Sequence, residues 1–83
     1  MRVFLEQPAC GTDPARYLQM TLQPDLFGGW ELLRESGPIG GRAQLRREQF
    51  PAQAPALAAL EKARDAHLHR GYAITYTSSD AAR

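Results

Sequence analysis

The first half of the chain alternates apolar and polar residues over short stretches, the pattern of strands that bury one face. In residues 16–23, Leu18, Met20 and Leu22 fall on one face while Tyr17 and polar side chains occupy the other. Clusters of Pro, Gly and Asp separate this stretch from strand-forming residues on either side. The pattern predicts three strands, residues 2–6, 16–23 and 30–35, the last two paired as an antiparallel hairpin.

A glycine-rich reversal opens the second half of the chain. Residues 37–41 hold three glycines and a proline, which a tight turn or a close backbone approach requires. Residues 42–50 fit a strand with a polar face and would also tolerate a helix. Their position directly after a strand and a turn favours a further antiparallel strand.

Residues 52–70 are rich in alanine and predict one helix. Pro55 is compatible with a first helical turn, and Gly71 provides a left-handed stop. The stripe that we expect to face the sheet contains Leu57, Leu60, Arg64 and Leu68.

The predicted fold class is α+β, an antiparallel sheet of about four strands with one helix packed on one face. Residues 72–77 fit either a closing strand or an extended tail, and residues 78–83 are too small and polar to pack. We therefore expect a domain of residues 1–73 and a C-terminal extension of residues 74–83 that could be flexible. The expected core contains Leu18, Met20, Leu22, Leu32, Leu57, Leu60 and Leu68. The second sheet face stays partly open, and we expect function there.

Length and charge narrow the possible functions. Eighty-three residues are enough for one core and one binding surface. Because no apolar stretch is long enough for a membrane span or a signal-peptide core, we expect a cytoplasmic protein without a membrane partner. Ten basic and nine acidic residues give a net charge of +1, which excludes binding to nucleic acid by bulk electrostatics alone. Any site for a polyanion must therefore be local.

The residue types that carry catalysis or hold metals are not arranged for either role. His67 and His69 lie roughly 200° apart around a helix, so they cannot bind one metal ion together. Cys10 lies in a Pro and Gly loop without an activating cation, and we interpret it as an inert thiol. No strand-to-helix elbow presents a serine as the nucleophile of a hydrolase. Taken with the histidines and the cysteine, this predicts no enzyme, no cofactor and no small-molecule substrate.

A cluster of arginines around the glycine-rich turn is the strongest candidate for a binding site. The cations are Arg34, Arg42, Arg46 and Arg47, with Trp30 nearby and Tyr17 across the predicted hairpin. Guanidinium groups interleaved with aromatic rings suit phosphates and stacked bases. The alternative is structural, because Glu31, Glu35 and Glu48 could neutralise arginines through cross-strand pairs.

These segments together resemble the WGR domain. The resemblance rests on residues 30–44, on the following Phe50-ended strand and alanine-rich helix, and on Arg70-Gly71-Tyr72, and it covers residues 2 to 73. The family is named for a Trp-Gly-Arg tripeptide that follows a strand and continues into a hydrophobic residue and glycine. Such domains in poly(ADP-ribose) polymerases help to recognise DNA breaks, so the resemblance implies a small bacterial module that binds nucleic acid without catalysis.

The departure from the family falls on its signature. Ser36 stands where the family has Trp, Gly37 matches, and Pro38 replaces Arg. In DNA-binding members the tripeptide Trp packs on the nucleic-acid backbone, so Ser36 removes stacking area and Pro38 removes a cation and a backbone donor. Trp30 occupies the family's own early strand position and is interpreted as a core residue.

Two functions remain open from the sequence. One is nucleic-acid binding, with DNA as the partner, through a surface formed by Arg34, Ser36, Gly37, Arg42, Arg46 and Arg47. The other is a degenerate WGR scaffold that binds a protein partner through the open sheet face or the helix. Loss of two signature side chains favours the second function, and the resemblance itself favours the first.

Overall fold

The computed structural model describes residues 1–78, which form one five-stranded antiparallel sheet and one helix. The elements are β1 (Arg2–Gln7), β2 (Arg16–Pro24), β3 (Trp30–Pro38), β4 (Gln44–Phe50), α1 (Gln53–His69) and β5 (Ala73–Ser78). The strand order across the sheet is β4-β3-β2-β1-β5. The α+β class and the single helix over an antiparallel sheet are thus confirmed. Residues 78–83 are predicted not to pack. Of these, only Ser78 belongs to the described part of the chain, and residues 79–83 lie outside it.

The sheet has one strand more than the predicted count of about four. α1 carries the chain from the β4 edge across the sheet, and β5 then pairs antiparallel with β1, with a register shift between Phe4 and Leu5. Between the two alternatives for residues 72–77, the structure therefore shows the closing strand. The predicted boundary between domain and extension, after residue 73, falls inside β5, so residues 74–78 of the expected extension are part of the sheet.

The hairpin of β2 and β3 sets the register of the whole sheet. Leu22 pairs with Leu32, and the alternation continues along both strands to Arg16 and Pro38. Asp25 organises the connecting turn, because its Oδ1 accepts hydrogen bonds from the backbone N–H groups of Phe27 and Gly29, each at 2.8 Å. A side-chain carboxylate thereby satisfies turn donors that the strands cannot.

The core lies between α1 and the face of the sheet that it covers. Its buried residues are Val3, Leu5, Leu18, Met20, Leu22, Leu32, Ala56, Leu60 and Ala63. The predictions for Leu18, Met20, Leu22, Leu32 and Leu60 are confirmed, whereas Leu57 is only partly buried at the margin. The prediction for Leu68 is wrong, since 39% of this residue is exposed.

The helix is rotated relative to the predicted stripe. It buries Ala56, Leu60 and Ala63, which follow the helical spacing of one face. Alanines on this face allow the helix backbone to approach the sheet closely, so that one leucine suffices to fill the space between them. Gly71 ends the helix region as predicted, with a φ of +98°.

Strand alternation divides the side chains of the sheet between two faces, here called the helix face and the open face. Leu32 lies on the helix face, and so do Arg34 and Ser36, which pair in register with Met20 and Leu18. The intervening residues of β3 lie on the open face. Candidate residues only one position apart in sequence therefore point to opposite sides of the molecule.

Candidate nucleic-acid interface

The turn between β3 and β4 is built on a close approach of two backbones. Gly37 is buried, and a Cβ atom at this position would lie 2.7 Å from the carbonyl oxygen of Arg42 and 3.1 Å from the Cα of Ala43. Gly40 has a φ of +82°, a conformation that L side chains rarely adopt. The glycines thus fix where Arg42 leaves the turn and where β4 begins.

The predicted arginine cluster is divided by the fold. Arg34 and Arg46 are cross-strand partners on the helix face, while Arg47 lies next to Leu33 on the open face. Arg42 lies in the turn and is exposed. The structure therefore brings Arg34 and Arg46 together on the helix face. It places Arg47 on the other side of the sheet.

Arg34 is held by a carboxylate on the neighbouring strand. Its Nη2 lies 3.3 Å from Oε1 of Glu48, with side-chain exposures of 24% and 44% respectively. The Nε atom of Arg34 is buried without a hydrogen-bond partner in the described chain. A buried donor without an acceptor is costly, so this guanidinium is only partly satisfied by Glu48.

Arg47 is neutralised on the open face. Its Nε lies 3.5 Å from Oε1 of Glu31, and the other oxygen of Glu31 accepts a hydrogen bond of 2.6 Å from Gln23. Glu31 is itself buried. The structural alternative from the sequence thus applies to Arg34 and Arg47, but not to Arg42 and Arg46, neither of which has a carboxylate at ion-pair distance within residues 1–78.

Tyr17 lies on the open face with its own partners. Its ring stacks on Phe4 with a centroid separation of 5.7 Å, and its hydroxyl donates a hydrogen bond of 2.7 Å to Glu35. The hydrogen bond to Glu35, followed by burial and the repulsion of a second negative charge, raises the pKa of Tyr17 above its usual value of 10.0. Glu35 therefore accepts from Tyr17 rather than pairing with an arginine.

Trp30 does not lie beside the arginines. It occupies the opposite end of β3, pairs with Phe50 of β4 and packs, partly buried, against the margin of the core, as Leu57 does. Ser36, the position of the lost signature Trp, is half-buried on the helix face opposite Gln44. Pro38 ends β3 opposite Arg16.

A groove between α1 and the strands β3 and β4 brings in residues that the sequence analysis missed. It has a volume of about 440 Å³, and Lys62, His67 and Arg70 line it together with Arg34. Lys62 lies in α1, and Arg70 directly follows the helix about two turns further along; both line this groove. Their spacing is the one feature of the sequence that could have identified them as site residues. It becomes informative only once the rotation of the helix is known.

A metal-binding cluster and a membrane-spanning helix are both absent from the described part of the chain. Residues 1–78 contain no group of three or more His, Cys, Asp or Glu side chains placed to bind a metal ion. In the same residues, no helix has the length and apolar character of a membrane span. Cys10 is a free, exposed thiol.

Comparison with known proteins identifies one family. The family model of the WGR domain matches residues 1–79. Searches of curated proteins and of solved structures found no significant match. WGR domains are modules of the nucleic-acid-binding type and are generally not catalytic. Because the family model spans nearly the whole chain, with the sheet and helix described above, this protein belongs to the WGR domain family.

Proposed function

We propose that this WGR domain binds DNA without catalysis, through phosphate contacts made by arginines at the glycine-rich turn and the β4 edge. The observation that carries the proposal is the state of Arg42 and Arg46. Both are exposed, and among residues 1–78 neither has a carboxylate at ion-pair distance. Exposed guanidinium groups without a protein partner can donate paired hydrogen bonds to phosphate oxygens.

The helix face is the side that supports this binding best. Ser36 stands at the position where the family's Trp packs on nucleic acid, and it shares this face with Arg34 and Arg46. On the open face, Arg47 is already paired with Glu31, and Glu35 adds a carboxylate that would repel a polyanion. The proposal thus moves the binding surface away from the open face, where the sequence analysis placed it.

The altered signature limits the kind of binding. Without the stacking ring and the cation that Ser36 and Pro38 replace, the remaining contacts are to the phosphate backbone. Phosphate contacts position a protein on DNA and carry no sequence information directly. We therefore expect salt-dependent affinity with little dependence on sequence. Gly37 contributes by fixing the turn that presents Arg42.

The proposal is tested by titrating labelled nicked, blunt and single-stranded DNA with the protein at several salt concentrations. Arg42→Ala and Arg46→Ala should each weaken binding to all sequences alike and reduce the salt slope by about one unit. Arg64→Ala is the matched control, because it removes the same charge from a side chain already paired with Asp65 at 3.0 Å. If the parent protein shows no salt-dependent binding, the proposed function is wrong.

A protein-binding role for the open face is the second candidate function, and a specific feature favours it. Leu45 and Tyr76 are 68% and 54% exposed, and they share this face with Glu31 and Glu35. Leu45 lies opposite Glu35, while Tyr76 lies opposite Phe4 at the other edge of the sheet, and exposed apolar groups with a carboxylate on the same face fit a partner with basic and apolar side chains. A lysine- and leucine-rich peptide should then perturb the NMR signals of Leu45 and Tyr76 and leave Arg46 unchanged. Absence of any such perturbation would contradict this role.

A further inference from the structure

The groove between α1 and the strands β3 and β4, here called the α1 groove, is lined by Arg34, Glu48, Phe50, Lys62, His67 and Arg70 together with three alanines. We infer that the α1 groove is a phosphate site that holds one backbone phosphate of the bound DNA. This inference rests on the proposed function, and it adds a defined site to a surface otherwise formed by exposed arginines.

The charges of the α1 groove suit an anion. Arg34 comes from β3, Lys62 comes from α1, Arg70 directly follows the last residue of α1, and Glu48 is the carboxylate among the lining residues. Glu48 is paired with Arg34. Within residues 1–78, Lys62 and Arg70 have no carboxylate at ion-pair distance. Two cations thus face the groove without a counter-charge, and apolar walls strengthen their attraction for an anion.

The unsatisfied donor of Arg34 points to the same ligand. Its Nε is buried without an acceptor, while its Nη2 is paired with a carboxylate that is itself 44% exposed. Because Glu48 is the more exposed partner, water and ions can reach its carboxylate and compete for the guanidinium. A phosphate that displaces Glu48 could accept hydrogen bonds from both Nε and an Nη of the planar guanidinium. The ligand would thereby satisfy the donor that the protein leaves unsatisfied.

His67 is held in one orientation on the wall of the α1 groove. Its Nδ1 lies 2.8 Å from the carbonyl oxygen of Ala63, and its ring contacts Tyr72 edge-on at 4.9 Å. A carbonyl oxygen only accepts hydrogen bonds, so the proton must be on Nδ1. In the neutral ring Nε2 then carries a lone pair and does not donate to a phosphate oxygen, so His67 forms a wall of the groove while Arg34, Lys62 and Arg70 supply the donors.

The α1 groove continues the surface of the proposed function. Arg34 in the groove is the cross-strand partner of Arg46 on the β4 edge. A DNA backbone in contact with Arg46 therefore passes the mouth of the groove, on the face that also carries Ser36. The phosphate spacing along one strand is short enough for successive phosphates to reach both places.

The first test is DNA binding by groove variants. Lys62→Ala and Arg70→Ala should each lower affinity and reduce the salt slope by about one unit, whereas Arg64→Ala should change neither. Glu48→Gln removes the competing carboxylate and should raise affinity, with Glu61→Gln as its control, because Glu61 is an exposed carboxylate of α1 that does not line the groove. Circular dichroism of each variant checks that it is folded.

The second test uses inorganic phosphate alone. Its addition should shift the NMR signals of the Arg34 Nε–H and the His67 ring and leave those of Tyr17 unchanged. If Arg42→Ala and Arg46→Ala weaken DNA binding but Lys62→Ala and Arg70→Ala behave like Arg64→Ala, the inference is wrong and the proposed function stands. If phosphate shifts Arg34 and His67 but no DNA binds, the proposed function is wrong and only the anion site is supported. If phosphate shifts neither signal, the inference is also wrong.

Discussion

Single residues of the glycine-rich turn decide how the arginines are presented. Gly37 is buried against Arg42 and Ala43, and Arg42 is exposed beyond the turn. The family resemblance identified Gly37 as a retained signature residue, and the structure supplies a physical reason for the glycine. Its role in direct contact with DNA stays a prediction.

Gly37→Ala should destabilise the fold, because the new Cβ would lie 2.7 Å from the backbone oxygen of Arg42, which a backbone cannot easily relieve. We expect a loss of about 1–3 kcal/mol in the free energy of unfolding, the range for overpacking. Chemical denaturation measures it, with Ser36→Ala as the neighbouring control that should change the same quantity by less than about 0.5 kcal/mol. Equal effects of the two variants would contradict the close approach.

Tyr17 gives a prediction on pH dependence. The hydrogen bond to Glu35 favours the protonated phenol and raises its pKa above 10.0, so its contribution to stability is full below that pH and is lost as the pH rises through the raised pKa. Ultraviolet titration should show one phenol that ionises later than the others. Tyr17→Phe should abolish this late phase, and Glu35→Gln should move it to lower pH. A single phase shared by all tyrosines would contradict the pair.

At the level of elements, the rotation of α1 is what the sequence analysis misplaced. The helix carries a stripe of leucines and a stripe of small residues. The side that faces the sheet is the second one, with Ala56 and Ala63 around Leu60. Hydrophobicity alone favours leucine, but close packing of a helix on a twisted sheet favours alanine with a single large side chain. The same rotation turns Lys62 and Arg70 toward the α1 groove.

The rotation is tested by two leucine variants. Leu60→Ala should destabilise the protein by about 2–4 kcal/mol, because the side chain is fully buried and its removal leaves a cavity. Leu68→Ala should lower the same free energy by less than about 1 kcal/mol, since the residue is 39% exposed. Leu57→Ala should fall between them. Thermal or urea unfolding gives the order, and a larger effect for Leu68 than for Leu60 would place the helix on the other stripe.

For the whole molecule, the distribution of charge matters more than the net charge of +1. The helix face carries Arg34 paired with Glu48, together with Arg46 and the cations of the α1 groove, whereas on the open face Arg47 is paired with Glu31 and Glu35 accepts a hydrogen bond from Tyr17. A nearly neutral protein can therefore still present one cationic side. Such a side steers a polyanion to one face.

Restoring the family signature tests this arrangement. Ser36→Trp combined with Pro38→Arg should raise DNA affinity, because it returns a stacking ring to the helix face and a cation to the turn. The measurement is the same salt-dependent titration, with circular dichroism to verify the fold. Ser36→Leu with Pro38→Gln is a control that adds bulk without a ring or a charge. Equal affinity of the restored variant, the control and the parent would argue against DNA on this face.

The sequence by itself determined the elements of this protein, since alternation, turn residues and helix-stop signals act locally. It thereby predicted the paired strands, the helix, the core positions of β2 and the family. Only the tertiary structure decided the rotation of α1, the pairing of β5 with β1 and the face on which each arginine lies. Those features depend on strand register and on packing between distant segments, because a shift of one residue moves a side chain to the other face of the sheet.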